Sequence, residues 1–219
     1  MEIPKENPDS PVDPLAAMSG KPQTDRMRLG FLASHGGTNL QAVLDACASG
    51  ELSATPAVLV TNNRGAHCIT RAQAAGVAVH VLNGVTHPEP DDLDAAMLEA
   101  LRSSGCEWIV LAGYMKKIGP RVLEAFAGRM INIHPALLPR HGGQGMFGMN
   151  VHRAVIAAGD AVSGATVHLV DGEYDEGPVL AQAEVPVLPG DTPETLAARV
   201  LETEHRLLVA TLCDLATKA

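Results

Sequence analysis

Asn132-Ile133-His134-Pro135 places an amide and an imidazole two residues apart at the end of a short apolar run, Met130-Ile131. Side chains alternate faces along a strand, so Asn132 and His134 point one way while Ile131 and Ile133 point the other. That pair suits a carbonyl under attack. The amide can donate to a developing oxyanion, and the imidazole handles a proton near neutral pH. Pro135 and Pro139 then end the strand and stiffen the next segment. Taken alone, a strand terminus with a capping Asn and a core His explains these residues equally well.

A second segment with chemical content is Ser34-His35-Gly36-Gly37-Thr38-Asn39-Leu40, which joins a short aliphatic strand to a helix. Paired glycines let the backbone turn tightly, and the free N–H groups at a helix start attract an anion. The segment has neither the three spaced glycines of a dinucleotide site nor the Lys-Ser/Thr ending of a triphosphate loop, so NAD and ATP are disfavoured and a monophosphate is the economical ligand. A tight turn with Asn as helix cap is the plain alternative. The third segment, His168-Leu169-Val170-Asp171-Gly172-Glu173-Tyr174-Asp175-Glu176-Gly177-Pro178, joins a strand to a loop rich in carboxylates. By itself it reads as solvated surface. Folded back over the end of the strand carrying His134, one carboxylate would pair with the imidazolium and raise its pKa.

The elements that must position these groups show short aliphatic runs alternating with amphipathic segments, the signature of a parallel sheet with crossover helices. Strands are expected at Leu29–Ala33, Ala57–Thr61, Val77–Leu82, Trp108–Leu111 and Met130–His134. Helices are expected at Asn39–Ala48, Ala66–Ala75 and Asp91–Arg102, and a short one after Pro120. Gly50 and Gly76 stand where helix stops should be. Beyond Val151–Ala158, another helix, Ala165–Val170 and Val179–Val187 read as an antiparallel pair, and Pro193 opens a last helix reaching about Ala216. The fold class expected is therefore α/β: a doubly wound, mostly parallel sheet with C-terminal antiparallel strands and a long C-terminal helix.

A chain of 219 residues accommodates one sizeable core. With 46% apolar, 19% charged and only 3% aromatic residues, that core must be aliphatic. A net charge of -9 argues against a nucleic-acid surface. Cys47, Cys68, Cys106 and Cys213 are scattered without the Cys-Cys or Cys-His spacings of a metal site, so neither a zinc site nor a redox pair is indicated, and free thiols in a reducing cytosol are expected. Residues 1–26 carry Pro4, Pro8, Pro11, Pro14 and Pro22 without a signal-like apolar stretch and read as a disordered tail, with Met18 and Met27 as alternative starts. No run approaches the ~18 apolar residues of a membrane span. A soluble, cytoplasmic protein is expected.

Three motifs in one order, the turn ending Thr38-Asn39-Leu40-Gln41-Ala42, the strand Asn132-Ile133-His134-Pro135 and Asp175-Glu176-Gly177-Pro178, resemble the phosphoribosylglycinamide formyltransferase family. The resemblance covers about residues 27–216, so 27–219 is taken as one formyltransferase domain. It implies transfer of a formyl group from 10-formyltetrahydrofolate, the co-substrate, to the amine of glycinamide ribonucleotide in purine biosynthesis, with no metal and no ATP. By motif, Asn132 and His134 resemble the catalytic Asn and His, and Asp175 the Asp that holds the His protonated. Gly37, Thr38 and Asn39 match the phosphate loop of the ribonucleotide site, and Leu201 to Glu204 the segment near the ribose, with Glu204 as hydroxyl acceptor. Met115, Lys116, Lys117 and Ile118 fall where the family binds the pterin, and Asp171, Gly172, Glu173, Tyr174 and Asp175 at a second folate segment, where Asn132 also counts as a folate contact. His168 matches the pattern too, with a structural role as fitting as a chemical one. The expected partners are these small molecules, with no nucleic acid and no membrane, and the resemblance leaves a homodimer open.

Two departures stand out. Many members have an Arg before the third crossover helix, where this chain reads His87-Pro88-Glu89-Pro90-Asp91. Between Pro139 and Val151 a longer loop carries Gly142, Gly143, Gly145 and Gly148, which implies a flap beside the acceptor site or a subunit contact. The implied chemistry is direct acyl transfer, with Asn132 and protonated His134 stabilising the tetrahedral oxygen. Rival readings are the hydrolase that releases formate, the transferase acting on initiator methionyl-tRNA, and a non-catalytic phosphosugar-binding module.

Overall fold

A computed structural model describes residues 26–218. The tail expected over 1–26 lies outside these residues except for Arg26. In chain order the elements are β1 (Met27–Leu32), α1 (Thr38–Ser49), β2 (Ala54–Thr61), α2 (Cys68–Ala74), β3 (Ala78–Val81), α3 (Pro90–Ser103) and β4 (Trp108–Leu111). They continue with α4 (Pro120–Ala125), β5 (Met130–His134), α5 (Met149–Ala158), β6 (Val162–Leu169), β7 (Val179–Pro186) and α6 (Pro193–Lys218).

The strands form one sheet in the order β3-β2-β1-β4-β5-β6-β7. Pairs among β1 to β5 are parallel, whereas β6 runs antiparallel to both β5 and β7. This is the doubly wound architecture the alternation of runs leads one to expect. The central strands are buried on both faces, which is why they read as unbroken apolar runs. On one face Met27, Leu29 and Phe31 of β1 pack with α1, α2 and the Leu208, Val209 and Leu212 side of α6. On the other, Leu32, Val58 and Ile109 pack with α3 and α4. Gly30 points to that second face, where a β-carbon would sit 2.9 Å from both Cys106 Sγ and Leu101 Cδ2.

Most boundaries fall within two residues of expectation, with β4 and β5 unchanged. β2 begins three residues early, at Ala54, because Pro56 is carried inside the strand. The register with β1 shifts between Leu29 and Gly30, next to the Leu29–Pro56 pair, so the missing N–H falls at an irregularity. β6 likewise begins at Val162 because its pairing with β7 runs on to Pro186. No described helix is long and apolar enough to cross a membrane.

Candidate active site

β1 and β4 are neighbours, yet α1 covers one face of the sheet and α3 the other. Strand order therefore reverses between them, and ligands of open α/β sheets bind at the carboxyl ends beside such a point. A cavity of about 720 Å3 opens there, reaching from Asn39 at the start of α1 past Asn132 and His134 to Leu201 and Glu204 on α6.

Pairing between β5 and β6 sets the geometry of the central polar groups. Asn132 stands opposite His168, and His134 opposite Thr166. Directly opposed side chains meet across antiparallel strands, and Asn132 Nδ2 lies 3.0 Å from His168 Nε2. His168 Nδ1 is 2.9 Å from the Leu169 carbonyl, which can only accept. Nδ1 therefore donates, and Nε2, which in the neutral ring can receive the Asn132 amide, also stands 3.5 Å from Asp175 Oδ1. Asn132 Nδ2 has a longer second contact, 3.4 Å to Asp175 Oδ1. A ligand oxygen can replace that contact without disturbing the anchored one.

Asp175 reaches this point because the loop after β6 turns back sharply. Leu169 N donates to the Pro178 carbonyl at 2.9 Å, closing the loop at its base. A β-carbon on Gly177 would lie 1.9 Å from the Leu169 carbonyl oxygen, so only glycine fits this closure. Asp175 itself is left-handed at φ 60. Its Oδ2 accepts from Gly143 N–H at 3.0 Å and faces His134 Nδ1 at 3.4 Å.

His134 is 3% exposed, and its other nitrogen, Nε2, donates to the His141 carbonyl at 2.8 Å. A carbonyl and a carboxylate both only accept, so a doubly protonated ring would satisfy both sides. Burial opposes that charge and is the larger influence, pushing the pKa of His134 below its ordinary value, while Asp175 and the His141 carbonyl pull it back up. The expected upward pull of Asp175 is therefore present but outweighed. Burial also resists ionisation of Asp175, yet contacts with His168, His134 and Gly143 together hold its pKa below the usual range, so it stays a carboxylate at neutral pH.

At the other end of the cavity, α1 starts without any side-chain cap. Gly37 occupies the cap position at φ 68. A β-carbon there would lie 2.6 Å from Cys68 Cβ, so the turn requires glycine on two counts. Asn39, the cap expected of an ordinary turn, instead donates from Nδ2 to Glu204 Oε2 at 2.8 Å. The helix-start N–H groups remain free of side-chain partners, as an anion site needs. Arg71 stands beside them, its Nε donating to the Gly36 carbonyl at 2.9 Å. Burial pushes the Glu204 carboxyl up and the Asn39 amide pulls it back. Ser34 ties this turn to the Met115 segment: its hydroxyl donates to Asn62 Oδ1 at 2.6 Å and accepts from Met115 N–H at 2.8 Å.

The sequence profile of the formyl transferase family matches residues 27–212. A phosphoribosylglycinamide formyltransferase from Haemophilus influenzae is 38% identical over 180 residues, covering 82% of each chain. The chloroplastic enzyme of that name from Arabidopsis thaliana is 39% identical over 86% of this chain, which spans 66% of the plant protein's length. The crystal structure of glycinamide ribonucleotide transformylase 1 from Symbiobacterium toebii superposes with a TM-score of 0.83 at 39% identity, covering 89% of both chains. The chain belongs to the phosphoribosylglycinamide formyltransferase family.

Measured against the residues the family resemblance implies, the cavity brings together Asn132, His134, Asp175, Asn39, Leu201 and Glu204. Met115, Lys116, Lys117, Ile118, Gly172, Glu173 and Tyr174 also line it, while Gly37, Thr38 and Asp171 do not. The segment 87–91, where many formyltransferases of this family have an Arg, does not reach the cavity either, and the lining cations are Lys116 and Lys117. Residues 143–149 of the glycine-rich loop form one wall. His152, 4% exposed and facing the same space with Nδ1 unpartnered, was not singled out by motif. The available signal was its place on the face of α5 shared with buried Val151 and Val155. No cysteine lines the cavity, and burial pushes the thiols of Cys47 and Cys106 up to about 11. Among the described residues no cluster of three or more His, Cys, Asp or Glu could hold a metal ion.

Proposed function

We propose that this chain transfers the formyl group of 10-formyltetrahydrofolate to the amine of glycinamide ribonucleotide, giving formylglycinamide ribonucleotide and tetrahydrofolate in de novo purine biosynthesis. The observation that carries the reading is the convergence of Asn132 and His134 from β5 with Asp175 from the loop after β6. They meet in a cavity whose far end holds an uncapped helix start. Leu111, Ile118, Leu123 and Val170 give part of the cavity an apolar lining, which suits a pterin ring. When bound, the folate supplies an acyl carbon that a neutral amine can attack directly.

Each residue then has a task. Asn132, its orientation fixed by His168, gives up the long Asp175 contact and donates to the oxygen that gains charge as the amine attacks. His134 in its protonated form keeps Nε2–H on the His141 carbonyl and turns Nδ1–H, whose contact with Asp175 is the longer one at 3.4 Å, to the same oxygen. Asp175 balances that charge and helps carry the proton lost by the amine to the folate nitrogen, which departs as its bond to the tetrahedral carbon breaks. Gly37, Thr38 and Asn39 offer the phosphate their helix-start donors, and Glu204 accepts from a ribose hydroxyl. Met115 to Ile118 and Asp171 to Asp175 serve as the two folate segments, with Asp171 outside the cavity lining. The same proposal takes residues 27–219 as one catalytic domain, a cytoplasmic location and a homodimer, the last tested by light scattering.

The decisive assay gives the purified protein 10-formyltetrahydrofolate with three acceptors: glycinamide ribonucleotide, water and initiator methionyl-tRNA. Turnover is expected with the ribonucleotide alone, and His134→Ala should lower kcat about a hundredfold or more. Formate release as the main reaction, or an unimpaired His134→Ala, would refute the assignment.

A further inference from the structure

Among the described residues only two that are not glycine have a left-handed backbone, His141 at φ 54 and Asp175 at φ 60. A β-carbon makes this conformation unfavourable, so the surroundings must impose it. Both residues touch His134, one at each ring nitrogen: Asp175 Oδ2 at Nδ1 and the His141 carbonyl at Nε2. The Asp175 contact uses a side chain. The His141 contact uses main chain, so its position depends on whatever fixes the His141 backbone.

What fixes it is Asp160, in the turn between α5 and β6. His141 Nε2 lies 2.6 Å from Asp160 Oδ2, and both side chains are largely shielded, at 15% and 10% exposure. Arg140 also reaches Asp160, but its side chain is 65% exposed and does not line the cavity. The next residue leaves the backbone little freedom. A β-carbon on Gly142 would lie 2.4 Å from Leu138 Cδ2 and 3.3 Å from Asp175 Cβ. The chain must turn at His141 in order to thread between those two residues.

We infer that Asp160, by gripping the His141 imidazole, holds the His141 carbonyl against His134 Nε2 and so acts as a positioning residue for the transfer. His134 is thereby fixed from two directions, by Asp175 directly and by Asp160 through His141. The contact with His141 is also the main influence holding the Asp160 pKa below the usual carboxylate range, so Asp160 is an anion when it grips. This inference rests on the catalytic reading of His134.

The test compares Asp160→Ala, Asp160→Asn and Arg140→Ala in the full chain, following kcat, both KM values and the ring N–H signal of His134 Nε2 by NMR. Asp160→Ala is expected to lose about tenfold in kcat, with both KM values within about twofold of wild type and the His134 signal displaced. Asp160→Asn, still able to accept from the imidazole, should recover much of the loss, and Arg140→Ala should behave as wild type. If Asp160→Ala does not fold, His141→Gly makes the same test, since it keeps the carbonyl and tolerates the backbone angle but offers Asp160 nothing to hold. An unmoved His134 signal would overturn the grip. A moved signal with wild-type kcat would overturn its place in the reaction, as would equal losses in Arg140→Ala. His134→Ala run alongside separates this failure from that of the catalytic reading, because only the latter leaves that variant active.

Discussion

The turn between β1 and α1 and the loop between β5 and α5 both border the cavity and both depend on glycine, but they use it differently. In the first, Gly37 is packed against Cys68, Arg71 holds the Gly36 carbonyl, and Cys68 N–H holds the His35 carbonyl at 3.0 Å. In the second, Gly143, Gly145 and Gly148 are all left-handed, yet open space surrounds the place where each β-carbon would be. Gly37 in the turn answers a packing limit and a backbone angle together, whereas in the loop beyond Gly142 glycine answers the backbone angle alone. On the proposed function this is a division of labour: a fixed turn for a phosphate whose charge does not change, and a freer loop anchored at its base beside the group that would gain and lose a proton.

The comparison breaks most visibly at Asp175, which ties the loop to β5 by accepting from Gly143 N–H and facing His134. Asp175→Asn keeps the shape but removes the charge that favours imidazolium. The His134 pKa, already lowered by burial, should then fall further, leaving less protonated ring at neutral pH. We expect kcat to drop about tenfold or more, with ribonucleotide KM changed far less. NMR titration of His134 in both proteins checks this, and an unchanged titration with normal turnover would return the carboxylate loop to solvated surface.

The next largest effect should come from Gly37→Val, where a β-carbon meets Cys68 and a left-handed angle at once. Ribonucleotide KM should rise about tenfold while folate affinity holds, since one charge-assisted contact is worth roughly that factor. Equal loss of both affinities in a folded protein would make the turn structural only. Gly145→Ala sharpens the contrast, for it meets strain without collision. It should cost about 1 kcal/mol in denaturant unfolding and leave ribonucleotide KM near wild type. The smallest signal is hydrogen exchange over residues 141–150, expected to slow when ligands bind. Strong protection already present in the free protein would mark a permanently packed loop.

Legibility in the sequence divides along the same line. β5 was readable to the residue because polar Asn132 and His134 interrupt an apolar run with strand periodicity, and the turn at Gly37 because its glycines sit directly between a strand and a helix. β2 was misjudged at its start because Pro56 is tolerated only at an irregularity that pairing with β1 creates. Contacts across long sequence separations left no local trace. Nothing near Asp160 announces that it holds a residue 19 positions earlier, and His152 looks like any histidine on an amphipathic helix. The balance of burial against Asp175 at His134 was likewise invisible, because it depends on how tightly the surrounding chain excludes water.

The bond from Asn39 to Glu204 joins the start of the first helix to the last helix across 165 positions. During synthesis on the ribosome the turn at Gly37 is made early, but its partner emerges among the last segments. Until then one face of β1, with Leu29 and Phe31, also lacks the cover of Leu208 and Leu212. A nascent chain therefore carries an unfinished cavity and a bare aliphatic surface for most of its elongation, and that surface is the one on which a chaperone would find purchase.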